Sequence, residues 1–381
     1  MHPLLHYTES QQDWLLETVE ALVRAESPST DKTAVDRCGA ELARRLRDIG
    51  ADVTRSPQTA RGDHLVARFA GEGPPILILG HFDTVWSVGQ IARMPLLRAG
   101  ERLHGPGIFD MKAGIATALL ALRALDAQRL VRPQTTMLFT TDEEIGSATS
   151  RQLIEDTARA SAAVLVLEPS LPGGAAKTSR KGVGEFEITV HGVSAHAGIA
   201  PAQGANAVHE LGHQIVRAQS LQDLGRGLSV NVTAATGGER TNVIPDLARA
   251  TVDVRVPTMA DAAWIDQAMR SLSTVVPGTR LEIAGGVNRP PLERTPAVVR
   301  LFELAQGCAR ELGRELGEGG TGGGSDGNFT AAAGVPTLDG LGPEGDGAHA
   351  LHEHVLVADL AWRAAFLAVL LTRLGSRAEV R

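Results

Sequence analysis

The chain has 381 residues, 43% of them hydrophobic and 21% charged, with 37 basic residues against 44 acidic for a net charge of −7. That length supports two domains with substantial cores, and without a basic stripe the chain is not expected to bind nucleic acid. Two cysteines, Cys38 and Cys308, exclude a disulfide framework and fit a reducing compartment.

The first residues, Met1-His2-Pro3-Leu4-Leu5-His6, lack the charged-then-apolar pattern of a signal peptide. The apolar run at 364–371 is too short to cross a bilayer. The expectation is a cytoplasmic protein with no membrane partner. Residues 11–26 and 32–49 carry helical periodicity, with Leu15, Val19, Leu22 and Val23 on one face. Apolar strands are predicted at 65–69 and 75–79, a helix at 112–127, a strand at 135–141, a helix near 148–159 and a strand at 163–167. This alternation predicts an α/β fold, a mostly parallel sheet covered by helices.

The texture changes after Arg180. Residues 184–191 alternate with period two, as a half-exposed strand does. A helix at 204–219, strands at 228–235 and 247–256, a helix at 259–274 and a strand at 280–286 follow. This β-α-β-β-α-β order predicts an inserted ferredoxin-like α+β domain. The expected division is 1–180 for the first part of the main domain, 181–290 for the insert and 291–381 for the second part. Residues 288–291 read as a hinge, and 295–312 as a helix.

Five positions follow strands, where ligand sites form in open α/β sheets. They are His81 in Gly80-His81-Phe82-Asp83-Thr84-Val85, Asp110 in Gly107-Ile108-Phe109-Asp110-Met111-Lys112, the Glu143-Glu144 pair, Glu168, and a histidine of the segment 347–354. Carboxylates at the ends of buried strands repel one another unless a cation sits among them. His81 can bind a metal, with Asp83 steadying its ring or a neighbouring ligand's. Asp110 by itself reads as a helix cap; within the set it reads as a bridging carboxylate. One glutamate of the pair can bind metal while the other acts as general base. Spacing alone does not choose among His349, His352 and His354; His349, after a Gly-rich turn, is preferred, and the others read as surface residues. Nitrogen and oxygen donors without cysteine suit zinc, with manganese or cobalt as alternatives.

These motifs, with Ser194-Ala195-His196-Ala197-Gly198, resemble those of the M20 family of metallopeptidases, which includes glutamate carboxypeptidases, succinyl-diaminopimelate desuccinylases and acetylornithine deacetylases. The resemblance spans nearly the whole chain. It implies a di-zinc exopeptidase-like fold with the insert as lid and dimerisation domain. It implies one zinc on His81 and Glu168, another on Glu144 and His349, and Asp110 between them. Glu143 becomes the general base, Asp83 the carboxylate that orients His81, and His196 a donor to the developing oxyanion, often reaching across a homodimer.

Asn242 and Arg255 match substrate-contacting positions of the family, and an arginine suits a bidentate grip on carboxylate. Lys177 falls near another such position once a one-residue gap is allowed. The stretch Gly322-Gly323-Gly324-Ser325-Asp326-Gly327 lacks the Lys-Ser/Thr ending of a phosphate loop. By resemblance the backbone at Gly323 and Gly324 approaches a substrate carboxylate, and Asp326 reads as a helix cap. The implied substrate is an N-acyl or peptidyl amino acid with a free C-terminal carboxylate, glutamate foremost. Alternatives are a deacetylase or aminoacylase for small N-acyl amino acids and a catalytically silent binding protein on the same fold.

Overall fold

The computed structural model describes residues 2–376. The chain divides into two compact units. One comprises Met1–Ser179, Arg294–Thr321 and Ser325–Arg381, and the other Arg180–Glu293 with Gly322–Gly324.

The first unit opens with helices α1 (Pro3–Ser10), α2 (Gln12–Arg24) and α3 (Lys32–Asp48). Its main sheet begins with β1 (Asp52–Ser56), β2 (His64–Phe69) and β3 (Ile76–His81). Helix α4 (Ala113–Ala127), β4 (Thr135–Thr140), α5 (Arg151–Arg159) and β5 (Ala163–Val166) follow. The sheet order is β1-β2-β4-β3-β5, closed by the two-residue strand Thr337–Leu338. From β4 to that edge all pairings are parallel, whereas β1 and β2 pair antiparallel.

The central strands are apolar throughout because both faces are covered. Ile76, Ile78, Met137, Phe139 and Leu165 face one core, lined also by Val35, Leu42, Ile115 and Leu119. Leu77, Leu79, Leu138, Val164 and Val166 face the other, with Ile154 and Phe329. Parallel pairing also aligns the carboxyl ends of β4, β3 and β5, so three of the expected site segments leave the sheet side by side.

The second unit consists of β6 (Gly182–His191), α6 (Ala207–Gln219), β7 (Ser229–Gly237), β8 (Leu247–Val256), α7 (Met259–Arg270) and β9 (Arg280–Arg289). The antiparallel order β7-β8-β6-β9 is ferredoxin-like. Ala248, Ala250, Val252, Val254 and Val256 alternate into its core against Phe186, Ile188 and Val190. Strand β9 runs to Arg289, so the segment expected as a hinge begins inside a strand. Helix α7 stops at Arg270, short of the expected 274.

The chain returns through α8 (Pro296–Glu311), α9 (Gly327–Ala332) and α10 (Val357–Ser376). Helix α10 is buried along nearly its whole length, so its sequence lacks a polar stripe to reveal it. Among the described residues no helix is long and apolar enough to cross a membrane. A small antiparallel sheet orders Gly345–Asp346, His354–Leu356, Arg102–His104 and Leu97–Ala99. It pairs His354 with His104 and so brings the segment around residue 350 to the loop that carries Asp110.

Gly114 opens α4 against the exit of β5. A Cβ there would run into the Leu167 carbonyl oxygen. Gly114→Ala is expected to destabilise the metal-free protein by about 1–3 kcal/mol through overpacking, read as a lower urea midpoint; an unchanged midpoint would show that the helix can shift freely.

Candidate metal centre

His81 is the last residue of β3, the middle of three aligned strands. Its ring is buried. Nδ1 lies 3.0 Å from the Asp83 carbonyl oxygen and 3.4 Å from Asp83 Oδ1. The carbonyl is the hydrogen-bond acceptor; Oδ1 contributes charge from a poorly directed position. Nδ1–H therefore donates to the backbone, and Nε2 faces the carboxylates. The sequence expectation is that Asp83 steadies this ring through its carboxylate; the group that accepts the ring's hydrogen bond is its main-chain carbonyl. Its Oδ2 accepts instead from Ser29 Oγ at 2.7 Å and from the Glu144 N–H at 3.3 Å, tying the Glu143-Glu144 turn to the end of β3.

Around His81 Nε2 stand Asp110 Oδ1 at 3.2 Å and Glu168 Oε1 at 3.5 Å. The second oxygen of Asp110 turns to the other histidine, with Oδ2 3.4 Å from His349 Nε2. His349 Nε2 also lies 3.0 Å from Glu144 Oε2. One carboxylate thus stands between two imidazoles, each with a further carboxylate of its own. His81, Asp110 and Glu144 offer ligand atoms within 4.8 Å of one another, a possible metal-binding group. Glu143 sits half-buried beside Glu144 in the short turn Glu143–Ile145.

Local backbone explains the placement. Asp110 is not a helix cap: it lies in an irregular stretch with φ −116° and ψ 91°, and α4 begins only at Ala113. His349 adopts a left-handed φ of 61°, uncommon for a residue with a Cβ. Such a conformation persists only where its surroundings enforce it. His352 is exposed, as expected; His354 is not a surface residue but lies buried in a strand, its ring 5.1 Å from that of His104.

The charge balance points to cations. Burial opposes charge on His81, yet Asp110, Asp83 and Glu168 outweigh it and raise its pKa well above the usual value. Asp110 and Glu144 push His349, about half exposed, up to about 10. Burial alone would raise the Asp110 pKa, but the two histidines hold it well below the usual carboxylate range. Burial raises that of Glu144, with the nearby Asp110 charge adding to it against the pull of His349. Two imidazoles amid four carboxylates form a donor set in which acidic groups outnumber basic ones. Imidazole nitrogens and carboxylate oxygens without thiolate fit zinc, manganese or cobalt.

The family model of peptidase family M20/M25/M40 matches residues 77–373. The chain belongs to the M20 peptidase family. It is 31% identical to carboxypeptidase G2 of Pseudomonas sp. (strain RS-16), over 98% of this chain and 92% of that protein. It is also 31% identical to succinyl-diaminopimelate desuccinylase of Gluconacetobacter diazotrophicus, over 87% and 90% of the two chains. Among solved structures it shares the fold of aminopeptidase PepT from Bacillus cereus, with a TM-score of 0.79 and 20% identity over 95% and 98% of the two chains. This M20 chain is accordingly a metal-dependent hydrolase of amide bonds in peptides or N-acyl amino acids.

The second unit of the M20 chain carries the other expected residues. The strand Ala195–His196 pairs with Val243–Ile244, and Ala197 N–H donates to the Asn242 carbonyl, so His196 and Asn242 are neighbours. His196 Nδ1 accepts from the N–H groups of Gly198 and Ile199, both at 3.1 Å. In the neutral ring the proton therefore sits on Nε2. Arg255 is engaged by Asp253 through a bidentate pair at 2.8 and 3.0 Å. The carbonyls of Gly323 and Gly324 accept from Arg180 Nη1. In the first unit, Lys177 is buried, its backbone paired with Asp339. Asp326 stands at the cap position of α9 without capping it. Its carboxylate accepts instead from the hydroxyls of Thr140 and Ser147, below the Glu143-Glu144 turn.

Sequence reading missed Glu353. It is buried between two histidines, and its carboxylate accepts from the N–H groups of Gly107, Phe109 and Asp110 and from the Trp86 indole. Buried Arg180 and Arg289 of the second unit also went unremarked. A signal existed for Glu353: it stands one residue, His354, before the apolar run 355–357, where an acidic residue needs partners.

Adding zinc or manganese to the metal-free protein is expected to raise its melting temperature, by an amount equivalent to about 2.7 kcal/mol at a hundredfold excess over Kd. Asp110→Asn is expected to lose most of that rise. An equal rise in the variant would place metal binding elsewhere.

Proposed function

We propose that the protein is a two-zinc exopeptidase-type hydrolase that cleaves an amide bond and releases an amino acid with a free α-carboxylate, glutamate foremost. The supporting observation is the division of Asp110, whose two oxygens face different histidines. His81 and Glu168 would hold one ion, Glu144 and His349 the other, with Asp110 shared. Manganese or cobalt could take the same donors. Bound there, the ions would polarise the amide carbonyl and make water acidic enough to attack at neutral pH.

The chain's own groups supply the rest. Glu143 takes a proton from the attacking water and returns it to the departing amine. Asp83 holds the Glu144 amide and the His81 ring, which keeps the Glu143 turn in register with β3. His196, with Nδ1 occupied by two backbone donors, has Nε2–H free to donate to the oxyanion. Arg255, Asn242, Lys177 and the backbone at Gly323 and Gly324 are assigned to the substrate carboxylates. Arg255 would share its guanidinium between Asp253 and the substrate. The carboxypeptidase G2 relative favours release of a C-terminal amino acid. The desuccinylase and an acetylornithine deacetylase 29% identical over 63% of this chain favour the second reading, deacylation of small N-acyl amino acids.

A homodimer through the second unit belongs to the same reading. Strand β7 is an unpaired sheet edge, and Val208 and Val216 of α6 are exposed. Cys38 and Cys308, both buried and not joined in a disulfide, support a reducing, cytoplasmic setting.

Hydrolysis of a panel of N-acyl amino acids and dipeptides, with the released amino acid identified, tests the substrate. One dominant product carrying a free carboxylate is expected, and release only from small N-acyl groups would favour the second reading. Glu143→Ala is expected to keep its metal and lose about 10²–10⁴ in kcat; near-full turnover would remove Glu143 as the base. Sedimentation is expected to give twice the chain mass, shifting toward monomer in Val216→Glu, and a monomeric unsubstituted protein would refute the dimer.

A further inference from the structure

The loop 105–112 has a problem that its sequence does not solve. Asp110 and Met111 have non-helical angles, and the regular helix begins only at Ala113. The N–H groups before it therefore lack the partners a helix would supply. Buried N–H groups of this kind need acceptors. Glu353 supplies them. Oε1 accepts from Phe109 N at 2.9 Å and Asp110 N at 3.1 Å, and Oε2 from Gly107 N at 2.9 Å. Trp86 Nε1 donates to Oε2 at 2.8 Å. The carboxylate is 1% exposed and takes four donors, as a buried charge requires.

The same residue is wired to the other side of the centre. Its backbone N–H donates to the Ala350 carbonyl at 3.0 Å, closing the turn that presents His349. Its carbonyl accepts from Gly105 N at 3.4 Å. Trp86 lies on the segment leaving His81. Three segments that supply Asp110, His349 and His81 thus meet at one residue, two of them at its carboxylate and the His349 turn at its main chain.

We propose that Glu353 is the positioning residue of the centre, fixing the Asp110 loop so that its two carboxylate oxygens divide between His81 and His349. The proposal rests on the reading of Asp110 as a metal ligand. Glutamine is a sharp probe because it keeps the shape. Its NH₂ would face N–H donors, and its single oxygen cannot serve all four. Positioning groups around metal ligands typically carry 10–100-fold in affinity.

The test compares the unsubstituted protein with Glu353→Gln by calorimetric titration with zinc and with manganese, alongside kcat and KM. The variant is expected to bind metal about 10–100-fold more weakly. Its kcat should fall with KM nearly unchanged. Amide hydrogen exchange on metal-free protein supplies a second readout. The amides of 107, 109 and 110 should exchange slowly in the unsubstituted protein and fast in the variant, while those of α4 stay protected. Metal affinity equal to that of the unsubstituted protein would overturn the proposal. So would fast exchange at 107, 109 and 110 before any substitution, a result that decides the matter even if the variant does not fold. Failure of the unsubstituted protein to bind either metal would remove the metal reading itself, and this inference with it.

Discussion

Mutual repulsion among Asp83, Asp110, Glu144 and Glu168 governs this molecule. They converge on His81 and His349 where three parallel strands end together. Carboxylates at such spacing cannot all stay ionised in a poorly solvated site without positive charge among them. The two imidazoles answer part of that demand, since the carboxylates around them favour their protonated form. Divalent cations would answer it fully and leave the imidazoles neutral as ligands. The fold makes the crowding possible. His81 ends the middle strand of the three, and the strands to either side lead to Glu144 and Glu168, so neighbours far apart in sequence become neighbours across one sheet edge.

Holding such a site requires a polar underlayer with its hydrogen bonds made. Below the Glu143-Glu144 turn, Asp326 accepts from Thr140 and Ser147, and Asp142 accepts from both the amide and hydroxyl of Thr149. His64, fully buried on β2, meets Thr141 and Thr149. Each of these contacts fixes the exit of β4 rather than touching the cluster. Glu353 does comparable work on the far side, for a loop with no regular structure of its own. The centre is therefore framed by sheet on one side and by a single buried carboxylate on the other.

Much of this frame was visible in the residues. Strands β3, β4 and β5 are unbroken apolar runs because both their faces are covered. The strands of the second unit alternate because one face is not buried in its core. Strand-end placement singled out His81, Asp110, the Glu143-Glu144 pair and Glu168, and the structure brings His81, Asp110, Glu144 and Glu168 together with His349. What stayed hidden has physical reasons. Helix α10 is enclosed on nearly all sides and shows no polar stripe. The small sheet that carries Arg102–His104 and His354–Leu356 uses strands of three residues, too short for a period. Without that sheet, nothing in the sequence connects Glu353 to residues 107–110 or shows that His354 turns inward. Asp326 has the residue type of a cap, and only the packing of α9 under β4 reveals its different partners.

The central claim is that two divalent cations share Asp110. Anomalous diffraction from crystals grown with zinc tests it directly. The account expects two peaks flanking the Asp110 carboxylate, one beside His81 and Glu168 and one beside Glu144 and His349. A zinc-saturated crystal with no peak at that carboxylate, or with zinc bound only at other surfaces, would contradict it.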